Sequence, residues 1–226
     1  MTTARRTQQE RRDRAEAALL TAAAELVVEQ GVRSLTLAKV GERAGYSRGI
    51  VTHHFGAKQV LVERLARATQ AGFVPGLDGV PPGLGRLLRL IDGYLGELGR
   101  IGVFNRAFLL LWAEAATQPE LAPIFRERDD AFRADLRDDV EAGIADGTID
   151  PGVDPAEVAV AVVGQLRGIA LQRLLDPQAT DLEQLRGSVT GYWRRALASD
   201  AAEGRHQDIQ CPDGGLQRST PEAPEA

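Results

Sequence analysis

The chain has 226 residues, of which 43% are hydrophobic and 26% charged, with a formal net charge of −5. That size allows one large or two small domains with a buried core, and the acidic balance excludes a uniformly basic nucleic-acid coat. The charge is polarised: residues 1–70 hold 12 Lys+Arg against 7 Asp+Glu, and residues 71–226 hold 15 against 25. A basic N-terminal part on an acidic body points to a nucleic-acid contact at one end, with a solvated basic face as the alternative.

Cys211 is the only cysteine, so no intrachain disulfide is possible, in keeping with a reducing compartment. Neither an apolar leader nor an apolar run of ~18 residues is expected. The chain therefore reads as cytoplasmic, without membrane contact.

Residues 1–9 are polar, carry Arg5 and Arg6, and read as a flexible basic arm. Over residues 10–30, Leu20, Ala23, Ala24 and Val27 recur at helical spacing, and Gly31 suits the position just past a helix end. Arg11, Arg12 and Arg14 lie at the start of that helix, where its dipole favours acids. An external anion would explain the cluster; a solvated helix end does so nearly as well.

Residues 34–58 read SLTLAKVGERAGYSRGIVTHHFGAK. Thr36 can cap a short helix over residues 37–44, with Leu37, Val40 and Ala44 on one side. Gly45 permits the left-handed backbone of a tight turn. Ser47 can then cap a second short helix over residues 48–54, closed by Phe55 and Gly56. This is a helix-turn-helix, whose second helix can enter a DNA major groove.

A connecting helix is expected over residues 57–71, with Val60, Leu61, Leu65 and Ala68 on one face. Residues 72–85 are rich in Gly and Pro and read as a linker. Later stretches are all helical in pattern, over residues 84–98, 103–116, 119–147, 156–175 and 182–198. The fourth is apolar over most of its circumference, hence central or at an interface. Residues 200–226 lack periodicity and read as a disordered tail. The expected fold is all-α: a helix-turn-helix domain over 10–56 joined to a helical body over 72–199.

Helix N-termini aim N–H groups at anions, so Thr36 and Lys58 suit phosphates, as does Ser47. Arg48, Gly49, Thr52 and His53 fall on the outer face of the second short helix, and Arg48 can pair with guanine. Ile50 and Val51 are expected to pack inward. His54 is balanced between phosphate contact and local packing, and Phe55 belongs to the core. Arg5 and Arg6 would reach the neighbouring minor groove.

No metal or cofactor is expected. Adjacent His53 and His54 diverge by about 100° on a helix. Asp146, Asp150 and Asp154 lack the calcium-loop spacing. Without a phosphate-binding glycine loop or a G-x-S-x-G elbow, there is no catalytic constellation either.

Thr36, Ala44-Gly45-Tyr46-Ser47, His54-Phe55 and Lys58 together resemble the tetracycline-repressor (TetR) family of transcription regulators. Less specifically, the resemblance extends over residues 10–70, the later helix lengths, and the Leu111-Trp112-Ala113-Glu114 and Pro119-Glu120-Leu121 segments. Thr52 stands where the family often has Tyr. The resemblance implies a homodimer that binds a palindromic operator in double-stranded DNA and responds to a small-molecule effector.

It further implies an effector pocket among the helices that carry the aromatic stripe Phe104, Phe108, Trp112, Phe125 and Phe132. Phe104, Asn105, Phe108 and Trp112 are the pocket candidates, with Arg106 as a further orienting group. A four-helix dimer interface would draw on Ala159, Val163, Gly164, Leu166, Gly168, Val189 and Trp193. The competing readings are a helical small-molecule-binding protein or enzyme with incidental DNA binding, and an architectural DNA-binding protein without effector.

Overall fold

The computed structural model describes residues 2–70, 74, 77, 79–178 and 181–199, with side chains from residue 8 onward. Cys211, His206 and the expected tail over 200–226 lie outside the described residues, as do residues 72, 73, 75, 76 and 78 of the expected linker. Among the described residues the fold is all-α, with one isolated antiparallel bridge, Ile149 to Ala198.

The helices are α1 (Thr2–Gln30), α2 (Leu37–Ala44), α3 (Arg48–Phe55), α4 (Lys58–Ala68) and α5 (Leu84–Glu97), then α6 (Val103–Ala115), α7 (Ala122–Ala145), α8 (Pro155–Leu175) and α9 (Leu182–Leu197). The expected flexible arm is a correction: α1 begins at Thr2, so residues 2–9 continue the helix. Nothing between Thr2 and Gln30 breaks a helix, and Ala4, Gln8, Gln9 and Glu10 all favour one.

Capping sets the boundaries in the N-terminal part. Gly31 and Gly45, at φ 78° and 75°, end α1 and α2 with the positive φ that only glycine adopts without strain. Leu19, Ala23, Val27, Leu35, Val40, Val51, Leu61 and Leu65 are sealed from solvent and hold α1 to α4 together. Arg43 reaches from α2 to Glu25 and Glu29 of α1, at 3.2 and 2.6 Å. That same core continues without a break into the body.

α1 also packs on α6, and α4 on α7. Arg33 pairs with Glu114 of α6 at 3.2 Å, and Gln70 Nε2 donates to the Ile124 carbonyl at 3.3 Å. In the body, α8 lies along α7, and α9 along α5.

Two expectations about α8 and α9 are corrected. Ala159, Val163, Leu166, Val189 and Trp193 are buried within a single chain, so they belong to its own core. Trp193 Nε1 donates to Gln165 Oε1 at 2.6 Å, fixing α9 on α8. The apolar groups left outside are Val160, Leu175 and Tyr192, at 57%, 87% and 54% exposure. Contrary to the sequence expectation, α8 is long and apolar enough to cross a membrane. The reason is that it is apolar on two faces, one packed on α5, α6 and α7 and the other bare.

Asp139 of α7 is fully buried, and its Oδ1 accepts from the Gly83 N–H at 3.1 Å, just ahead of α5. Burial pushes its carboxyl above the ordinary aspartate range. The Gly83 N–H and Arg86 (3.5 Å away) pull the other way, while Asp135 and Asp138 add to the rise. A raised folded-state value means that stability is lost as pH climbs from the ordinary aspartate range, about 4, toward neutrality. Asp139→Asn keeps an oxygen for Gly83 and should flatten that loss, as read by thermal melts across the range.

Candidate nucleic-acid interface

Thr36 enters α2 in extended conformation, and its Oγ1 accepts from the Lys39 N–H at 3.2 Å. Ser47 does the same for α3, accepting from the Ile50 N–H at 3.4 Å. Between the two helices, the Tyr46 N–H bonds to the Gly41 carbonyl at 2.8 Å. Gly41 lies where the helices meet: a Cβ there would come within 2.7 Å of the Tyr46 carbonyl oxygen and 3.0 Å of Val51 Cγ2.

α3 is thereby fixed by its inner face, where Val51 and Phe55, one turn apart, are buried. Arg64 lies 5.7 Å from the Phe55 ring centroid and pairs with Glu16 of α1 at 2.6 Å. The outer face carries Arg48, Gly49, Thr52 and His53, all exposed as expected. Ile50 is a correction: it is 41% exposed rather than packed inward. With Val51 and Phe55 holding the inner stripe, Ile50 sits about 100° round the helix from Val51. It gives the outer face an apolar contact of the kind that thymine methyl groups accept.

His54 is half-buried and its Nδ1 has no hydrogen-bond partner within the chain. With His53 it borders a cleft whose other wall is Gln8, Gln9 and Arg12 of α1. The basic start of α1 and the end of α3 therefore border one surface. Among the described residues, Arg11, Arg12, Arg14 and Arg48 have no acidic partner within 4.0 Å. The helical backbone includes Arg5 and Arg6 in α1; their side chains lie outside the described residues.

Lys58 is exposed, but its Nζ donates to the Arg33 carbonyl at 2.9 Å, so it faces back toward the turn before α2. Ala57 supplies no side-chain cap to α4, leaving first-turn N–H groups free for an anion.

A second cluster lies in the body. The Arg167 guanidinium of α8 is buried, 4.4 Å from the Phe108 ring centroid, 5.9 Å from Trp112 and 6.0 Å from Phe132. Its Nη1 donates to Tyr94 Oη at 3.2 Å, and its Nη2 lies 3.5 Å from Asp129 Oδ1. Asp129 Oδ2 accepts from Trp112 Nε1 at 2.8 Å. Burial raises the Tyr94 hydroxyl above its usual value, with Arg167 opposing.

Phe108 and Trp112 are thus brought together, Phe108 also stacking on Phe125 at 5.5 Å. Phe104 and Asn105, a turn earlier on α6, are half-buried and take no part in this cage, while Arg106 borders a separate cleft of about 200 Å³ with Ile101, Ala170 and Leu174. Sequence reasoning missed Tyr94, Asp129 and Arg167. The available signal was Arg167 in the middle of the apolar helix α8, about a turn and a half ahead of its other arginine, Arg173.

A recognition helix locked on one side and bare on the other is suited to reading DNA, and it places the chain in the class of helix-turn-helix regulators. Residues 19–65 match the family described as bacterial regulatory proteins, tetR family, and residues 84–207 match BetI-type transcriptional repressor, C-terminal. The chain belongs to the TetR family, with a C-terminal part of the BetI-type repressors. It is a ligand-responsive, DNA-binding transcriptional repressor.

Among its relatives is the HTH-type transcriptional regulator BetI 1 of Chromohalobacter salexigens. It is 23% identical over 185 residues, covering 80% of this chain and 89% of the relative. Two solved structures share the fold. NalD of Pseudomonas aeruginosa, the secondary repressor of the MexAB-OprM multidrug efflux pump, has a TM-score of 0.67 at 21% identity, covering 84% of this chain and 99% of that one. A Saccharomonospora viridis regulator in complex with choline has a TM-score of 0.70 at 16% identity, covering 83% and 99%.

Proposed function

We propose that two copies of this chain bind a palindromic operator as a cytoplasmic homodimer and leave it when a small-molecule effector binds. In this reading the chain acts by binding alone, without catalysis. The observation that carries it is α3, with Val51 and Phe55 inside and Arg48, Thr52 and His53 bare outside. Two such helices about 34–36 Å apart would read successive major grooves. Thr36, Ser47, His54 and Lys58 would hold phosphates, with Lys58 exchanging the Arg33 carbonyl for one. Gly49 would admit close backbone approach, and Arg5 and Arg6 would follow the flanking DNA as part of α1.

The functional division places DNA binding in residues 10–56 together with the α1 extension, a connecting helix over 57–71, and effector binding and dimerisation over 72–199. The bare apolar stripe of α8 and α9, with Val160, Leu175 and Tyr192, is the surface a second copy would cover. Contacts from Gln70 and Arg33 to α7 and α6 tie the reading head to the effector helices. An effector that favours a state with wider head spacing shifts the population off DNA, by no more than its differential affinity.

The test is binding of the purified protein to the intergenic DNA upstream of its own gene, at stated salt. Arg48→Ala should lose about 1–3 kcal/mol of preference for the specific sequence over a scrambled one. Lys58→Ala should weaken all sequences alike and lower the salt slope by about one. Equal sequence preference in wild type and Arg48→Ala would remove Arg48 from base reading. If no operator emerges upstream or from random-sequence selection, the dimeric repressor mechanism fails.

A further inference from the structure

We propose that Arg167 is the built-in occupant of an organic-cation site, and that it closes the cage of Phe108, Trp112, Phe132, Tyr94 and Asp129 to free cations. The inference rests on reading the helical body as the effector-binding part.

A buried guanidinium carries five N–H donors and is ordinarily held by a bidentate carboxylate and further acceptors. Among the described residues, Arg167 has one acceptor, Tyr94 Oη at 3.2 Å from Nη1, and no bidentate carboxylate. Its Nε has no partner, and Asp129 Oδ1 stands 3.5 Å from Nη2 without a hydrogen bond. The other carboxylate oxygen is committed to the Trp112 indole at 2.8 Å. What surrounds the cation instead is three aromatic rings, the nearest centroid at 4.4 Å, with one carboxylate as counter-charge. That is the recognition geometry for a cation with no N–H groups to satisfy, a quaternary ammonium above all.

The cage is also preset independently of the arginine. The Trp112–Asp129 bond orients the ring and the carboxylate whether or not a guanidinium lies between them. Phe108 is braced from behind by Phe125. Arg167 therefore occupies the site as a tethered cation: attached to α8, it is present at high effective concentration and a free cation must displace it. Removing its side chain should uncover a site rather than merely leave a hole.

Tetramethylammonium and guanidinium chlorides at low millimolar concentration, against sodium chloride, are the probes. Trp112 is one of only two tryptophans in the chain, so intrinsic fluorescence reports cage occupancy; thermal melts report stabilisation. Wild type should give no saturable response to tetramethylammonium. Arg167→Ala should bind it at least about tenfold more tightly than wild type and regain part of its thermal stability from guanidinium.

Arg167→Lys, which keeps a tethered cation, should behave as wild type, and adding Asp129→Asn to Arg167→Ala should abolish the response. If the alanine variant does not fold, Arg167→Gln keeps part of the stem without the charge. It should then show the cation-specific stabilisation that wild type lacks.

Wild type binding tetramethylammonium as tightly as Arg167→Ala overturns the proposal. So does a folded alanine or glutamine variant that binds neither cation. None of these readouts involves DNA, so failure here and failure of operator binding are separate results.

Discussion

Gly41→Val is expected to abolish specific operator binding. The added Cβ would stand 2.7 Å from the Tyr46 carbonyl oxygen, an atom of the backbone that no rotamer change can move aside. Val51 Cγ2, at 3.0 Å, blocks the same space from α3. Either α2 and α3 part or the turn between them reorganises. Overpacking of this kind costs about 1–3 kcal/mol or more. Val51 and Phe55 would no longer fix the outer face, so the loss in binding should exceed the loss in stability.

Fluorescence anisotropy on the operator and a thermal melt separate the two effects. Helicity of α5 to α9 should survive, because Gly41 touches none of them. Gly49→Ala is the control: its Cβ has only Ser47 Oγ within contact, at 3.7 Å, so folding should be unchanged while close approach to DNA is lost. A Gly41→Val protein with wild-type operator affinity would sink the assignment of α2–α3 as the reading head.

The second large effect concerns the bare stripe of the body. Val160→Glu should convert the protein to monomers. A charge at the centre of an apolar contact is buried without a partner, and Val160 contributes little to the chain's own core. Sedimentation should show half the mass with unchanged helicity. Affinity for the full palindrome should fall by about a hundredfold or more, since the second head no longer binds at the effective concentration set by the first. Affinity for an isolated half-site should not change. A Val160→Glu protein that stays dimeric would move the interface elsewhere.

The helix-turn-helix was legible because its punctuation is chemical. Thr36 and Ser47 cap through their own hydroxyls, and Gly31 and Gly45 are needed where φ turns positive. Ile50 was misassigned because a helix of eight residues has room for one buried stripe, and Val51 with Phe55 takes it. On α8 the difficulty was different. An all-round apolar helix has two candidate faces, and periodicity does not say which one its own chain covers. The structure assigns Ala159, Val163 and Leu166 to the inside and Val160 to the outside.

The cage was legible only in its aromatic half, Phe108, Trp112 and Phe132, for a third reason. Tyr94, Phe108, Trp112, Asp129, Phe132 and Arg167 come from four helices separated by up to 73 residues. No local pattern brings them together.

The continuation of α1 to Thr2 alters how far a small motion in the body can reach. The buried stripe of α1 begins at Ala15, and the helix runs about 20 Å beyond it to Thr2. Because the packed portion lies on α6, a tilt of about 10° imposed there would carry the tip about 3.5 Å, close to the rise between successive bases. If α1 follows flanking DNA as proposed, amplification of this order would let a displacement too small to rearrange the core take its tip out of register with the phosphates.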